Sequence, residues 1–172
     1  MTRILVFTGN GKGKTTAALG TVLRAAGHGQ KCLVVQFIKE RTDTGEYAAC
    51  SRLPGVEIVT MGCGFAPSAN SPRFDSHRQA AEAALEFAER ALDSGEYALL
   101  VLDEICGAIG LNLVDENRVI GFLRRPSRCS CVILTGRGAS PSLMECADTV
   151  TEMTCNRHAL SAGISAQAGI EY

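Results

Sequence analysis

Arg3-Ile4-Leu5-Val6-Phe7-Thr8-Gly9-Asn10-Gly11-Lys12-Gly13-Lys14-Thr15-Thr16 runs from a short apolar segment through a glycine- and lysine-rich turn into a helical stretch. Glycines let the backbone fold into a nest whose N–H groups point inward at phosphate oxygens. A helix N-terminus behind such a nest adds a field that favours anions. Lys14 supplies a point charge to the phosphates, and the Thr15 hydroxyl is placed to ligate Mg²⁺. The spacing follows G-x-x-x-x-G-K-[ST] with Thr8 in place of the first glycine. A chance glycine-rich turn is the competing reading, and the strand before and helix after weigh against it. Gly9, Asn10, Gly11, Lys12, Gly13, Lys14, Thr15 and Thr16 therefore read as a loop that holds a nucleoside triphosphate.

Outward from this loop, short buried runs alternate with helical ones. Candidate strands are Arg3–Thr8, Lys31–Phe37, Val56–Thr60, Ala98–Leu102, Cys131–Thr135 and Thr149–Met153. Runs such as Ala98-Leu99-Leu100-Val101-Leu102 have the near-continuous apolar character of parallel strands covered on both faces. Helices are predicted from Lys14 to Ala26, and from about Asp75 to Leu92, where Ala81, Leu85, Ala88 and Leu92 share a face. Asp115 caps a further helix that stops before Pro126, and Ser140-Pro141 starts another. Ile38–Arg52 and Met61–Arg73 read as long loops, which in a compact fold are often functional. The alternation gives an α/β fold with a mostly parallel sheet, and one domain over residues 1–172.

Composition narrows the function. Seventeen basic and eighteen acidic residues leave a net charge of −1, and Trp is absent. Neither a basic nucleic-acid surface nor a base-stacking platform is expected. No 18-residue apolar run and no signal-like h-region occur, so a soluble cytoplasmic protein without a membrane partner is expected. Eight cysteines contain no C-x-x-C pair. Most lie in apolar segments, where a reduced thiol behaves as a small hydrophobe, so a zinc or redox centre is not expected.

Leu99-Leu100-Val101-Leu102-Asp103-Glu104 is an apolar strand tipped by carboxylates. Such a strand is expected to lie beside the first one, bringing its acidic tip to the Mg²⁺ shell. Spacing leaves open which carboxylate touches the metal directly. Thr135-Gly136-Arg137-Gly138 ends another strand on the edge where ligand crevices form. Arg137 there reads equally as a phosphate or carboxamide ligand and as a solvated turn residue. His28, His77 and His158 read as structural, and Arg124, Arg125 and Arg128 as a solvated helix end. A small-metabolite kinase or ATPase, or a nucleotide-binding regulator without turnover, also fits these motifs; a kinase would want an acceptor-activating base, and none is evident.

Taken in order, Val6 to Ala18, Gly27-His28-Gly29, Val34-Val35-Gln36-Phe37-Ile38-Lys39, Val101-Leu102-Asp103-Glu104, Leu134-Thr135-Gly136-Arg137-Gly138, Ala147-Asp148-Thr149-Val150 and Gly169-Ile170-Glu171-Tyr172 make the chain resemble the ATP:corrinoid adenosyltransferases of the P-loop type. The resemblance covers nearly the whole chain, and the altered loop with Thr8 is part of the family's pattern. It implies a three-layer P-loop NTPase (RecA-like) fold. It also implies transfer of the 5′-deoxyadenosyl group of ATP to the Co(I) ion of a reduced corrinoid, with release of triphosphate, in adenosylcobalamin biosynthesis or salvage. In such a reaction the nucleophile is cobalt, so no protein nucleophile or general base is required. The loop amides, Lys12, Lys14 and Mg²⁺ are then expected to neutralise the leaving triphosphate, with the nucleotide reversed relative to ordinary NTPases. Thr15 and Glu104 are implied as metal ligands, with Asp103 adjacent.

The resemblance further implies an aromatic shield under the cobalt. Phe65 matches one such aromatic, while Pro67 stands where some relatives carry Trp. The sequence opens almost directly on the first strand, so the cover that an N-terminal extension gives the corrinoid in some relatives is expected to be absent or to come from elsewhere. A flavoprotein reductant and a homodimeric assembly are implied as partners.

Overall fold

The computed structural model describes residues 1–40, 42–64, 67 and 70–170. Each expected strand is present within a residue of its sequence bounds: β1 (Arg3–Thr8), β2 (Cys32–Gln36), β3 (Val56–Thr60), β4 (Leu99–Asp103), β5 (Cys131–Thr135) and β6 (Thr149–Glu152). They form one sheet in the order β3-β2-β4-β5-β1-β6, and every neighbouring pair is parallel. The expected adjacency of β4 and β1 is not found, because β5 lies between them and pairs with both. A run of apolar residues ending in acids specifies a buried strand but carries no information about its neighbours.

The buried strands sort their side chains by parity. Leu33, Val35, Leu100 and Leu102 point to one face, while Cys32, Val34, Leu99 and Val101 point to the other. The first face is covered by α3 (Phe74–Ser94), α4 (Ile105–Gly110), α5 (Glu116–Leu123) and α6 (Pro141–Glu145). The second is covered by α1 (Lys14–Gly27) and α2 (Gly45–Cys50). This is the three-layer α/β fold expected from the sequence.

Local chemistry sets the helix ends. Asp115 accepts the Arg118 N–H at 3.0 Å and Ser140 accepts the Leu143 N–H at 3.1 Å, each satisfying a donor the helix leaves open. α3 buries Ala81, Leu85, Ala88 and Leu92 as predicted, adds Ala84 and His77, and ends at Gly95 with φ 65°. Arg118 holds α5 to α3 through Glu82 at 2.5 Å and Glu89 at 2.8 Å. Arg125, expected at a solvated helix end, reaches Glu89 at 3.2 Å and Asp93 at 3.4 Å. α2 falls inside the expected loop Ile38–Arg52, and α4 follows Glu104 without a sequence signal. Both are six-residue helices of under two turns, held by packing more than by propensity. Among the described residues no helix is long and apolar enough to cross a membrane.

The segments that leave β2 and β3 run side by side past the strand ends. Met61 N–H donates to Gln36 O at 3.0 Å and Gly64 N–H to Ile38 O at 2.9 Å. Gly62 lies so near that a Cβ there would sit 2.2 Å from the Ile38 carbonyl carbon. Neither backbone can yield cheaply, because each is anchored in the sheet. Gly62→Ala is expected to lower stability by about 1–3 kcal/mol, read as a lower urea midpoint with an unchanged m-value; an unaltered midpoint would contradict this packing.

Candidate active site

The sheet's C-terminal edge gathers the site. Beyond Thr8 the chain turns through Gly9 (φ 93°) and Gly13 (φ 114°) before α1 begins at Lys14. Glycine is needed here for space as well as for backbone angle. A Cβ at Gly9 would lie 2.4 Å from Met153 O, and one at Gly11 would lie 2.6 Å from Thr154 O. Gly11 N–H donates to Met153 O at 2.6 Å, so the loop is backed by the chain leaving β6. Thr8, the departure from the usual first glycine, is buried; its hydroxyl accepts the Ala139 N–H at 3.2 Å and its carbonyl accepts the Met153 N–H at 2.9 Å.

Lys14 is buried within the loop, and its Nζ donates to Gly9 O and Gly11 O, both at 2.8 Å. Burial pulls its pKa below the ordinary lysine value, with Glu104 opposing the shift and Arg137 adding to it. Asn10, Lys12 and Thr16 are exposed along the same loop. Arg137 is exposed after β5, near enough for its charge to act on both Lys14 and Glu104.

Asp103 is wholly buried at the tip of β4. Its Oδ1 accepts the hydroxyls of Thr15 at 2.8 Å and Thr135 at 2.7 Å, and its Oδ2 accepts Gln36 Nε2 at 3.1 Å. Thr135 occupies the end of β5, the strand that intervenes between β4 and β1, and so bridges the gap that the expected adjacency would have closed. Gln36 is itself fixed by the Thr60 hydroxyl at 2.9 Å. The network thus ties the ends of β2, β3, β4 and β5 to the first turn of α1.

Glu104 follows in the left-handed region, φ 65°, with its N–H donating to Thr135 Oγ1 at 2.9 Å. A non-glycine residue there costs about 1 kcal/mol, and the turn carries the Glu104 carboxylate out of the strand into the cavity. Burial, and then the charge of Asp103, raise its pKa above the ordinary carboxylate value. The adjacent acids are therefore unlike: Asp103 is buried and accepts from three protein donors, whereas Glu104 lines open space.

That space is a cavity of about 710 Å³. One wall is the loop from Lys12 to Thr16, and the opposite wall is α2 with Lys39 and Glu46. Lys39 Nζ lies 2.6 Å from Glu46 Oε1 and 3.6 Å from Asp103 Oδ2. Burial alone would lower the Lys39 pKa, but Asp103 and Glu46 outweigh it and raise it. Leu19, Leu23, Ala49 and Leu53 make an apolar side, suited to a planar base or a sugar face. Gly169 and Ile170 complete the rim, and Lys12 Nζ donates to Ile170 O at 2.6 Å.

The thiols near this cavity are held protonated: Cys50 is raised by burial, and Cys106 is pushed up to about 12 by burial and Glu104. Such thiols are poor nucleophiles. His158 caps a short 3-10 turn by accepting the Leu160 N–H at 3.2 Å. Among the described residues no histidine lines the cavity.

Sequence reading of the loop, Asp103, Glu104 and Arg137 put residues at this edge that the fold indeed brings together. Phe65 lies outside the described residues. Lys39, Glu46, Gln36, Thr135 and Ile170 were not among the candidates. Gln36 carried a signal, since it is a lone amide within the buried run Leu33 to Phe37. Lys39 and Glu46 pair with each other inside the expected loop, seven residues apart, and a lone lysine and glutamate at that spacing give no sign of facing Asp103.

Comparison with known proteins agrees along the full length. A family model described as ATP:corrinoid adenosyltransferase BtuR/CobO/CobP matches residues 1–172. The chain is 43% identical over 170 residues to a Corrinoid adenosyltransferase of Pseudomonas aeruginosa, covering 98% of this chain and 83% of that protein. It is 40% identical over 169 residues to a Corrinoid adenosyltransferase of Escherichia coli (strain K12), covering 98% and 85%. The Corrinoid adenosyltransferase CobA of Salmonella typhimurium is likewise 40% identical, with 98% and 85% covered. With a phosphate loop, a buried carboxylate hub and a cation-lined cavity on one sheet edge, and with these relatives matching nearly end to end, the chain belongs to the ATP:corrinoid adenosyltransferase family, α/β enzymes that adenosylate corrinoids with ATP.

Proposed function

We propose that residues 1–172 act as one catalytic domain, in which the Co(I) ion of a reduced corrinoid attacks C5′ of ATP. The cobalt electron pair forms the Co–C bond, the C5′–O bond breaks, and its electrons leave on the triphosphate oxygen. The observation that carries this reading is the cavity itself: cations from separate segments surround a phosphate loop, and the nearby thiols are protonated and poorly nucleophilic. A metal nucleophile brings its own electron pair, so what the protein supplies is alignment and neutralisation of the leaving group.

In this reading the amides of Gly9 to Gly13, with Lys12 and Lys14, hold the triphosphate. Lys14 exchanges the carbonyls of Gly9 and Gly11 for phosphate oxygens, a stronger, charge-assisted pairing. Arg137 adds positive potential from the next strand end. The donors fit Mg²⁺, since the Thr15 hydroxyl and the Glu104 carboxylate are hard oxygens at the cavity, whereas Asp103 is wholly buried and accepts from three protein donors. When bound, that ion would neutralise triphosphate charge, with Thr15 and Glu104 as its protein ligands and Asp103 orienting the Thr15 hydroxyl. Phe65 shields the lower face of cobalt, an assignment that rests on the family pattern of the loop. A homodimer, a cytoplasmic setting and a flavoprotein that supplies Co(I) complete the proposal. The exposed edge strand β6, with Val150 40% exposed, supports a partner copy.

Anaerobic incubation with Mg-ATP and chemically reduced cobalamin is expected to give a light-sensitive cobalt–carbon product and an equal amount of triphosphate. Release of ADP or AMP in its place would overturn the reading. Lys14→Ala is expected to lower kcat/KM for ATP by about 10²–10³.

Glu104 also makes a prediction for the ligand-free protein. Its pKa is raised on folding, so the ionised form costs stability above that folded value, and no cost remains below the unfolded value near 4.5, where it is protonated in both states. With chelator present and nucleotide absent, Glu104→Gln is expected to melt above the parent at pH 7. The gain should shrink on acidification and vanish below about pH 4.5, while adenosyl transfer is lost. A variant that melts lower than the parent at pH 7 would contradict this assignment.

A further inference from the structure

β1 lies between β5 and β6, and Thr8 at its end is bonded to the chain leaving each of them. Its carbonyl accepts the Met153 N–H beyond β6 at 2.9 Å, and its hydroxyl accepts the Ala139 N–H beyond β5 at 3.2 Å. The second bond closes a short loop, Gly136-Arg137-Gly138-Ala139. The other end of that loop is held where Gly136 N–H donates to Phe7 O at 3.2 Å. Gly136 is buried with φ 136°, and a Cβ there would lie 2.8 Å from the Gly107 nitrogen. The start of α4 thus stands against one side of the loop and the end of β1 against the other. Arg137 is exposed between these anchors.

We propose that Thr8 is a positioning residue, whose hydroxyl anchors the Gly136–Ala139 loop and so holds Arg137 beside the phosphate loop. The proposal rests on the reading that Arg137 adds positive potential at the triphosphate. Thr8 stands where the usual spacing has its first glycine, and a glycine has no side-chain acceptor to offer the Ala139 N–H. An amide drawn out of water without an acceptor is costly. Thr8 is well suited to supply one: it is 6% exposed, and branching at Cβ restricts it to few rotamers, so its oxygen is presented at a fixed height above the strand. The loop needs that hold. Gly138, with φ 69° and open space where a Cβ would point, lends it little stiffness of its own. The Arg137 charge also acts on Lys14, and like charges separate unless the backbones that carry them are fixed. A loop fixed before the anion arrives lowers the ordering cost of binding.

The test compares Thr8→Val and Thr8→Ala, which remove the hydroxyl, with Thr8→Ser, which keeps it, each in the full chain with and without Arg137→Ala. Calorimetry with inorganic triphosphate reads affinity, and amide hydrogen exchange at Ala139 in the ligand-free protein reads the tether. Thr8→Val and Thr8→Ala are expected to bind triphosphate about 3- to 10-fold more weakly. Their Ala139 amide is expected to exchange about 10-fold faster, while Thr8→Ser stays within about twofold of the parent in both measurements. Once Arg137 is replaced, loss of the hydroxyl should weaken triphosphate binding no further. Parent-like affinity in both hydroxyl-free variants, a loss that persists in full without Arg137, or an unchanged Ala139 exchange rate would overturn the proposal. Triphosphate binding by Arg137→Ala as tight as the parent's would instead overturn the reading of Arg137 on which it rests. The exchange rate, measured without ligand, tells that failure from a failure of the tether.

Discussion

A single carboxylate, Asp103, organises the edge of the sheet. Its oxygens accept from Thr15, Thr135 and Gln36, and Lys39 lies 3.6 Å away. These partners come from four chain segments: the first turn of α1, the end of β5, the end of β2 and the segment just beyond it. A carboxylate wholly buried at the sheet edge is costly unless its lone pairs are met. Meeting them fixes the relative height of those segments, and with it the distance between the phosphate loop and the wall formed by Lys39 and Glu46. Loss of any one donor leaves buried acceptor capacity unmatched, so the hub enforces registry across strands that are not adjacent in sequence.

The same arrangement explains how neighbouring acids divide their work. Asp103 keeps the strand direction and is consumed by protein donors. Glu104 adopts a left-handed backbone, leaves the strand line and meets the cavity. Raised in pKa by burial and by Asp103, it is held in a setting that folding alone does not favour. Lys14 is the converse case, a cation whose burial lowers its pKa while carbonyls of its own loop hold it. Both charges are poised for partners of opposite sign, and a polyphosphate with its cation is the kind of ligand that relieves both at once.

Much of this was legible in the sequence, and the limits have physical causes. Strand bounds were legible because β2 and β4 are buried on both faces, so their apolar runs stand out against polar connections. The glycine-rich turn between β1 and α1 was legible because its glycines are needed where the backbone takes positive φ and passes close to Met153 and Thr154. Strand order was not: the placement of β5 between β4 and β1 is a tertiary choice that leaves Val132, Ile133 and Leu134 no different in kind from any other buried run. α2 was hidden because Gly45-Glu46-Tyr47-Ala48-Ala49-Cys50 is too short for periodicity to show. Glycines at 107 and 110 hid α4 in the same way. Of the site, the residues within one motif were legible, whereas Lys39, Glu46 and Ile170 acquire meaning only when distant segments meet.

Parallel topology carries the last step. With every strand pointing the same way, the segments following β1, β2, β4 and β5 all emerge on one edge, and each delivers a charge there: Lys12 and Lys14, Lys39, Glu104, and Arg137. A reaction that expels triphosphate needs positive charge spread along an extended leaving group, not concentrated at one atom. Under the proposed function, cations drawn from separate strand ends would meet that need, because the sheet spaces them. The hub at Asp103 ties those strand ends together, so the distribution of charge along this edge is set by the fold before any ligand enters.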